Sequence, residues 1–431
     1  VERDHKSLTP LLERRLGLME NRLLEARQET YLAEARNLVR FVEAVAGCLP
    51  TGEVAPVCEA VGLHLCKVAH DAHHREQDTF AHALFSLGLP FLAAPRERSR
   101  VLATFAEALC VQGDLAAARR AFEESLEAAE ETGIPAVAIA AAARLGDFLH
   151  FIGDCPAAQR YLEDALERAT TADTPGLNAG FGEAVLRHLG FLFITRGQYG
   201  QARLALDRSR EMALSTGDLH TAADSDRGIA LLHLHTGNLA VARALLERGR
   251  LPWRERGHRR WQAVYALHLA EVCRYEGDDA GVLCHVSQAE AHLEHTRSPT
   301  SAATARYLRG YVALRQGDAE TALHHLIDAL RLQRRYAGRR HLLPTLEAIA
   351  AAQELRGRAA SALELLAIAD AERERFVIPV PPVERAGRAC LLARLSERFL
   401  PARYEAARSG EAAPSLEQVV ARLVEEQEAP A

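Results

Sequence analysis

The chain has 431 residues, 48% hydrophobic and only 6% aromatic, with 52 basic and 58 acidic residues and a net charge of −6. That composition is Ala/Leu-rich and helical rather than β-rich, and its acidic balance gives no global electrostatic case for nucleic-acid binding. Only Lys6 and Lys67 are lysines, so nearly all the basic residues are arginines, the coding bias of a GC-rich genome. The cysteines, at 48, 58, 66, 110, 155, 273, 284 and 390, form no Cys-x-x-Cys and read as reduced, small apolar residues of a cytosolic protein. No apolar run looks long enough to cross a bilayer, and no signal peptide precedes the rest, so a cytoplasmic location is expected. The chain begins at Val1 rather than Met, which implies a trimmed larger protein or an alternative start codon.

Residues 1–95 show helical periodicity in Leu11–Glu43, Val54–His74 and Thr79–Leu87. They read as an N-terminal helical cap holding degenerate repeats, since end repeats need a polar outer face. Within it, Cys66/His70 and His70/His74 are i,i+4 pairs on one helix, so Cys66, His70, His73 and His74 are secondary candidates for a zinc site, with Asp71 or Glu76 nearby. With 19 histidines in the chain, a polar helix face is the reading preferred, and no metal is assigned.

From residue 96 a metre begins. Gly113, Gly153, Gly197, Gly237, Gly277, Gly317 and Gly357 are spaced 40, 44, 40, 40, 40 and 40 apart. Four are followed by Asp and one by Asn, and the long step coincides with a loop-like insertion, Thr171 to Asn178. A period in the range of roughly 20–50 residues marks a stacked repeat. Five residues after each glycine stand Ala118, Ala158, Ala202, Ala242, Val282, Ala322 and Ala362. Nine after stand Phe122, Leu162, Leu206, Leu246, Val286, Leu326 and Leu366. Twelve after stand Ser125, Ala165, Ser209, Gly249, Ala289, Ala329 and Ala369. Seven before stand Ala106, Gly146, Gly190, Ala230, Ala270, Gly310 and Ala350. The +5/+9 pair shares a helix face, small residues at −7 and +5 permit close helix approach, and the glycine ends the first helix in a left-handed conformation. Each unit is therefore a helix A, a tight turn and a helix B, with seven units over 96–376. Two basic runs, Arg254 to Arg260 and Arg334 to Arg340, fall in links from one helix B to the next helix A and read as solvated loops.

Pro379, Pro381 and Pro382 interrupt the helical run, and residues 377–431 read as a C-terminal helical cap and tail. Ser415 and Gln418 have the spacing of a capping box opening its last helix.

The small–turn–Ala–large–Ala pattern resembles the tetratricopeptide repeat, with departures: a period near 40, no regular Trp or Tyr in helix A, and no proline closing helix B. The extra residues should lengthen both helices by about a turn, at 3.6 residues per turn, or enlarge the loops. The resemblance implies an all-α, right-handed superhelical solenoid with helical caps at both ends. The ordered series Ala359 to Arg375, Val380 to Arg385, Arg394 to Gly410 and Ser415 to Ala421 is similar to the C-terminal end of the repeat regions in bacterial signal-transduction ATPases and their LuxR-, AfsR- and MalT-type regulators. It implies only the sensing or docking portion, since the chain has no Gly-x-x-x-x-Gly-Lys-Ser/Thr and no helix-turn-helix stands out.

In tetratricopeptide superhelices helix A lines the concave face. By that analogy Asp147, His150, Arg187, Phe191, Asp224, Arg227, Glu271, Arg274, Tyr307 and Tyr311 form the candidate ligand-binding face. Arginines grip carboxylate or phosphate in a bidentate manner, and aromatics anchor a ligand at low entropic cost. The competing reading is a solvated face with internal ion pairs. No nucleophile elbow or nucleotide fingerprint occurs, so neither catalysis nor a cofactor is expected. A non-catalytic scaffold for a protein or peptide is the expectation, as an adaptor or as the sensor of a bacterial regulator. A small-molecule inducer sensor and a metal-dependent enzyme are the alternatives. Membrane and direct nucleic-acid partners are not expected.

Overall fold

A computed structural model of the chain describes residues 28–46, 51–75, 77–171, 182–294, 296, 298–397, 404, 408 and 415–428. Among them there are helices and turns and no strand. The Thr171–Asn178 insertion lies almost wholly outside the described residues, as do Leu16, Met19, Leu23 and Leu24 of the first periodic stretch and Glu76 beside the histidines. The chain divides into two compact units, Val1–Arg144 and Leu145–Ala431.

In the first unit, α1 (Gln28–Ala46), α2 (Thr51–His74) and α3 (Asp78–Gly88) coincide with the periodic stretches read from sequence. Tyr31, Leu38, Leu65, Leu84 and Phe85 are fully buried among them. A 3-10 turn (Leu89–Phe91) leads to α4 (Pro95–Gln112) and α5 (Leu115–Glu131), the first helix pair.

The remaining pairs follow: α6 (Pro135–Ile152) with α7 (Cys155–Thr171), α8 (Gly182–Thr195) with α9 (Tyr199–Thr216), and α10 (Leu219–His235) with α11 (Leu239–Gly249). After the short α12 (Leu251–Glu255) come α13 (Arg259–Glu276) with α14 (Asp279–Leu293), α15 (Pro299–Arg315) with α16 (Ala319–Tyr336), and α17 (Arg339–Leu355) with α18 (Ala359–Phe376). All seven metric glycines have φ between 69° and 88°. The extra residues of the 40-residue period go into helix, since α4, α13, α16 and α18 are each 18 residues long. The aspartates after the glycines cap helix B: Asp114 accepts from the Ala117 amide at 2.9 Å, Asp278 from Gly281 at 2.9 Å and Asp318 from Thr321 at 3.0 Å. Asn238 does not, and donates instead to Thr236 Oγ1.

Packing within a pair is a steric lock between the −7 and +9 positions. A Cβ on Gly146, Gly190 or Gly310 would lie 2.6, 2.5 or 2.7 Å from Cγ of Leu162, Leu206 or Leu326. All seven +5 residues and six of the seven +9 residues have no exposed surface, Phe122 retaining a little.

The B-to-A turns add a second set of left-handed residues at Gly133, Gly217 and Gly257, each 20 residues after a metric glycine, and Val377 occupies the same register with φ 55°. After it, residues 378–381 lead into α19 (Pro382–Ser396), and the described chain ends in α20 (Leu416–Glu428). The capping box forms as expected: Ser415 Oγ accepts from the Gln418 amide at 3.2 Å, and Gln418 Oε1 from the Ser415 amide at 2.8 Å.

One expectation needs correction. α6 has the length and apolar composition of a membrane span, because its outer turns are a run of Ala, Val, Ile and Leu. About half of that helix is buried inside the protein, and its Asp147 and His150 are engaged by polar side chains, as the inner helix of a repeat requires.

Candidate functional site

Within the second unit, the pairs curl until the start of α17 rests on the end of α6. Gly338 makes the approach possible, since a Cβ there would sit 2.3 Å from the backbone of Ile152. Arg340 Nη1 then lies 3.1 Å from His150 Nε2, across 190 residues of sequence. The A-helices of this unit consequently turn their polar faces toward one another, and the candidate residues fall into two neighbouring clusters.

The first cluster is built by α6, α8, α10 and α17. Asp224 is buried and accepts from two arginines, Arg187 Nη1 at 2.5 Å and Arg227 Nε at 2.8 Å. Burial pushes its carboxyl up, but Arg227 and then Arg187 outweigh this and hold it at about 2. The Arg227 guanidinium lies over the Phe191 ring, 4.6 Å from its centroid, and 5.4 Å from Trp261. Asp147 lies 2.7 Å from His188 Nδ1; desolvation raises its pKa, yet the neighbouring His188, Arg187 and His150 hold it well below the usual carboxylate range. His150 meets Thr195 Oγ1 at 2.8 Å, and burial, reinforced by the Arg340 charge, keeps it neutral. His341, which accepts from Arg340 Nε at 3.1 Å, is pushed down to about 3 by burial and then by Arg340.

The second cluster gathers α13, α15 and α19. Arg274 is buried, donates to Glu384 at 2.9 Å, and lies 4.0 Å from the ring centroid of Tyr275, 5.7 Å from that of Tyr307 and 5.0 Å from that of Tyr311. Tyr275 donates to the same Glu384 oxygen at 2.6 Å. Glu271 pairs with His268 at 2.9 Å; burial opposes its charge, but His268 and Arg274 keep its pKa lowered. Arginine and tyrosines together make a site for an acidic side chain, and Glu384 of α19 already fills it. The same helix also reaches α17: Arg388 Nε donates to Glu347 at 3.1 Å and Arg394 Nε to Glu354 at 3.1 Å.

All ten sequence candidates belong to the second unit, gathered in these two clusters. Their charged groups are engaged by one another, by His188, His268 or Arg340, or by α19. Sequence reading missed His188, Trp261, Arg340, His341 and Glu384. Arg340 and His341 were hidden at the end of a basic run read as loop, and Glu384 stood beyond the repeats. The run Arg334 to Arg340 does span the α16–α17 link as expected, but its last arginine turns inward.

The histidine cluster of the first unit is split. Cys66 is buried in the apolar core against Gly88, where burial pushes its thiol to about 12, and His73 bonds Asp78 at 2.7 Å. His70 and His74 face each other at 3.0 Å. Among the described residues no group of three or more His, Cys, Asp or Glu side chains is placed to hold a metal.

No curated protein matches the chain. Among solved structures, the TPR domain of P58(IPK) is similar at a TM-score of 0.26 and 14% identity, covering 90% of this chain and 99% of that one. A circular tandem repeat protein with novel repeat topology and enhanced subunit contact surfaces is similar at 0.17 and 15%, covering 100% of both. Likenesses this low carry no argument about the site. Residues 97–171, spanning the first two helix pairs, match the tetratricopeptide repeat family. The chain is an all-α repeat protein of tetratricopeptide-like helix pairs.

Proposed function

We propose that the chain is a non-catalytic scaffold that binds a protein or peptide, as the sensing or docking part, or a free-standing relative, of a bacterial signal-transduction regulator. Tetratricopeptide repeats are in general protein–protein interaction scaffolds. The observation that carries the reading is α19. The inner positions of α13 and α17 already hold a helix, taking its Glu384 with an arginine and a tyrosine and its Arg388 and Arg394 with glutamates. A surface that recognises one helix by alternating charges has the chemistry to recognise another. Tyr311, half-buried beside Arg274, is the aromatic anchor of that surface.

The test is native mass spectrometry of the full chain purified from its source cells, with a Tyr311→Ala variant beside it. A stoichiometric polypeptide that the variant loses while keeping its helical signal and melting temperature supports the reading. A polypeptide held equally by both, or none at the protein's working concentration, refutes this surface as the docking site.

A further inference from the structure

One repeat breaks its second helix. α11 is 11 residues long, where the second helices of the other pairs run from 15 to 18 residues. Pro252 is the cause, since it has no amide hydrogen to give the Arg248 carbonyl and its ring crowds that carbonyl. The chain passes through Arg250 into the five-residue α12. There Trp253 is buried and stacks on Trp261, with centroids 5.0 Å apart and planes 21° apart. His220, from the start of α10, meets Trp253 edge-on at 5.0 Å, and His258 meets it at 5.5 Å. Gly257, at φ 66°, turns the loop back so that the His258 amide donates to the Trp253 carbonyl at 3.0 Å. Trp253 and Trp261 are the two tryptophans of the chain. On this aromatic base stand exposed groups of two kinds. Arg254, Arg256 and Arg259 are exposed, and among the described residues none has a carboxylate within ion-pair distance. The arginines just before them are spent, Arg248 on Asp226 and Arg250 on Glu247. Residues 254–260 hold four arginines against one glutamate, in a chain of net charge −6. Beside the tryptophans, Leu251 is 41% and Leu219 62% exposed.

We propose that this corner docks an acidic segment of another protein, its carboxylates taken by Arg254, Arg256 and Arg259 and an adjacent apolar side chain laid on Leu219 and Leu251. Arginine's planar fork takes a carboxylate in two parallel bonds. The loop that carries the arginines is already held by aromatic packing, so little order has to be created on docking. A nucleic acid fits less well. A strand held without sequence preference stacks its bases on aromatic faces, but Trp253 is buried and Trp261 already lies against Trp253 and Arg227. A long polyanion or an anionic membrane would also meet the chain's overall negative charge. The corner shares with the proposed function the reading that the chain binds protein. It uses no residue of the α19 contacts, so either surface can fail alone.

The test is fluorescence anisotropy of a labelled peptide, Leu-Glu-Glu-Leu-Asp-Glu-Leu-Glu-Glu-Leu, with the full chain at about 0.1 M salt, where charges interact over about 10 Å. A thymidine oligonucleotide and vesicles of phosphatidylcholine with phosphatidylserine are the competing probes. Wild type is compared with the double variant Arg256→Glu/Arg259→Glu, with Leu251→Ser and with Tyr311→Ala. The double variant Arg334→Glu/Arg335→Glu makes the same charge change in the other basic run. Tryptophan emission and the melting temperature check that each variant keeps its fold. The peptide should bind saturably, tenfold or more weakly in Arg256→Glu/Arg259→Glu and severalfold more weakly in Leu251→Ser. Binding should be unchanged in Tyr311→Ala and in Arg334→Glu/Arg335→Glu. The proposal is overturned if the peptide does not bind, or if Arg256→Glu/Arg259→Glu binds as wild type does. Equal weakening in Arg334→Glu/Arg335→Glu also overturns it, as does tighter binding of the oligonucleotide or the vesicles. Loss in Tyr311→Ala alone would place the peptide on the α19 surface and overturn it as well.

Discussion

Replacing Gly190 with alanine tests what sets the separation of helices within a repeat. The added Cβ would lie 2.5 Å from Leu206 Cγ and 2.6 Å from its Cδ2, about 1 Å inside an ordinary carbon–carbon contact. Leu206 has little room to yield. It is fully buried, and on its other side Gly228 is equally close, since a Cβ there would be 2.7 Å from Cδ2. Swinging the isobutyl group away from one glycine drives it into the other helix. Overpacking of this kind costs about 1–3 kcal/mol, while alanine gains about 1 kcal/mol over glycine in a helix interior. The net expectation is a loss of up to about 2 kcal/mol. Gly387→Ala in α19 supplies the control, because nothing lies within 4 Å of its Cβ, and it should gain up to about 1 kcal/mol. Urea unfolding followed by circular dichroism reads both, with the slope checked because repeat arrays can lose two-state cooperativity. If Gly190→Ala stabilises the chain as Gly387→Ala does, Leu206 yields freely and the −7/+9 lock is not what spaces the helices.

Three further outcomes follow from particular residues. Val377→Gly should raise stability by about 0.5–1 kcal/mol, because a β-branched residue at φ 55° carries left-handed strain of about 1–2 kcal/mol and glycine's added entropy takes back part of it; an unchanged or lower urea midpoint refutes the strain. His341, held at about 3, stays neutral in the fold while the unfolded side chain protonates near 6.5, so the unfolded state binds more protons and stability falls as pH drops below that value. The loss between pH 7 and 5 is about 2 kcal/mol for one such histidine, and His341→Gln should flatten the melting-temperature profile there; an equal slope in the variant defeats the assignment. Arg373 is 6% exposed and grips Glu347 through Nε at 2.9 Å and Nη2 at 3.1 Å, so Arg373→Met should cost about 1.5–3 kcal/mol by removing these charge-assisted bonds and leaving Glu347 to Arg388 alone. Much of that should return in the double variant with Glu347→Leu, and additive losses would show that the pair is not coupled.

The repeat frame was legible because its cause is local. A tight turn needs a left-handed residue, and a close helix pair needs a small residue opposite a large one, so Gly190 and Leu206 had to be near one another in sequence. The 20-residue echo at Gly133, Gly217, Gly257 and Val377 was equally local and could have been read; the valine interrupts the glycine pattern. The repeat metre singled out the ten candidate positions but not the partners that their side chains meet. Arg187 and Asp224 are 37 residues apart, Arg274 and Glu384 are 110 apart, and His150 and Arg340 are 190 apart. Such pairs depend on small rotations accumulated from repeat to repeat, which no spacing encodes. For the same reason α19 could be read as a helix and not as an occupant of the inner face.

That occupancy constrains any partner using Arg274, Glu347 or Glu354. Such a partner competes with a helix tethered by a few residues, whose effective concentration is on the order of millimolar. Its apparent affinity is its intrinsic affinity reduced by the fraction of molecules in which α19 is undocked. Docking is reinforced beyond the ion pairs, because Leu391 and Leu395 of α19 are buried in the unit's core. Each tenfold bias toward the docked state therefore weakens the partner tenfold, or by about 1.4 kcal/mol. Glu384→Gln lowers that bias while leaving Arg274, Tyr275 and Tyr311 in place. The partner should bind the variant more tightly than wild type, by a factor of about ten if the charge-assisted bonds to Glu384 are worth about 1.5 kcal/mol. Surface plasmon resonance with the full chain immobilised measures this directly. Weaker binding to Glu384→Gln would mean that the partner needs Glu384 itself, and that α19 is part of the docking surface rather than its competitor.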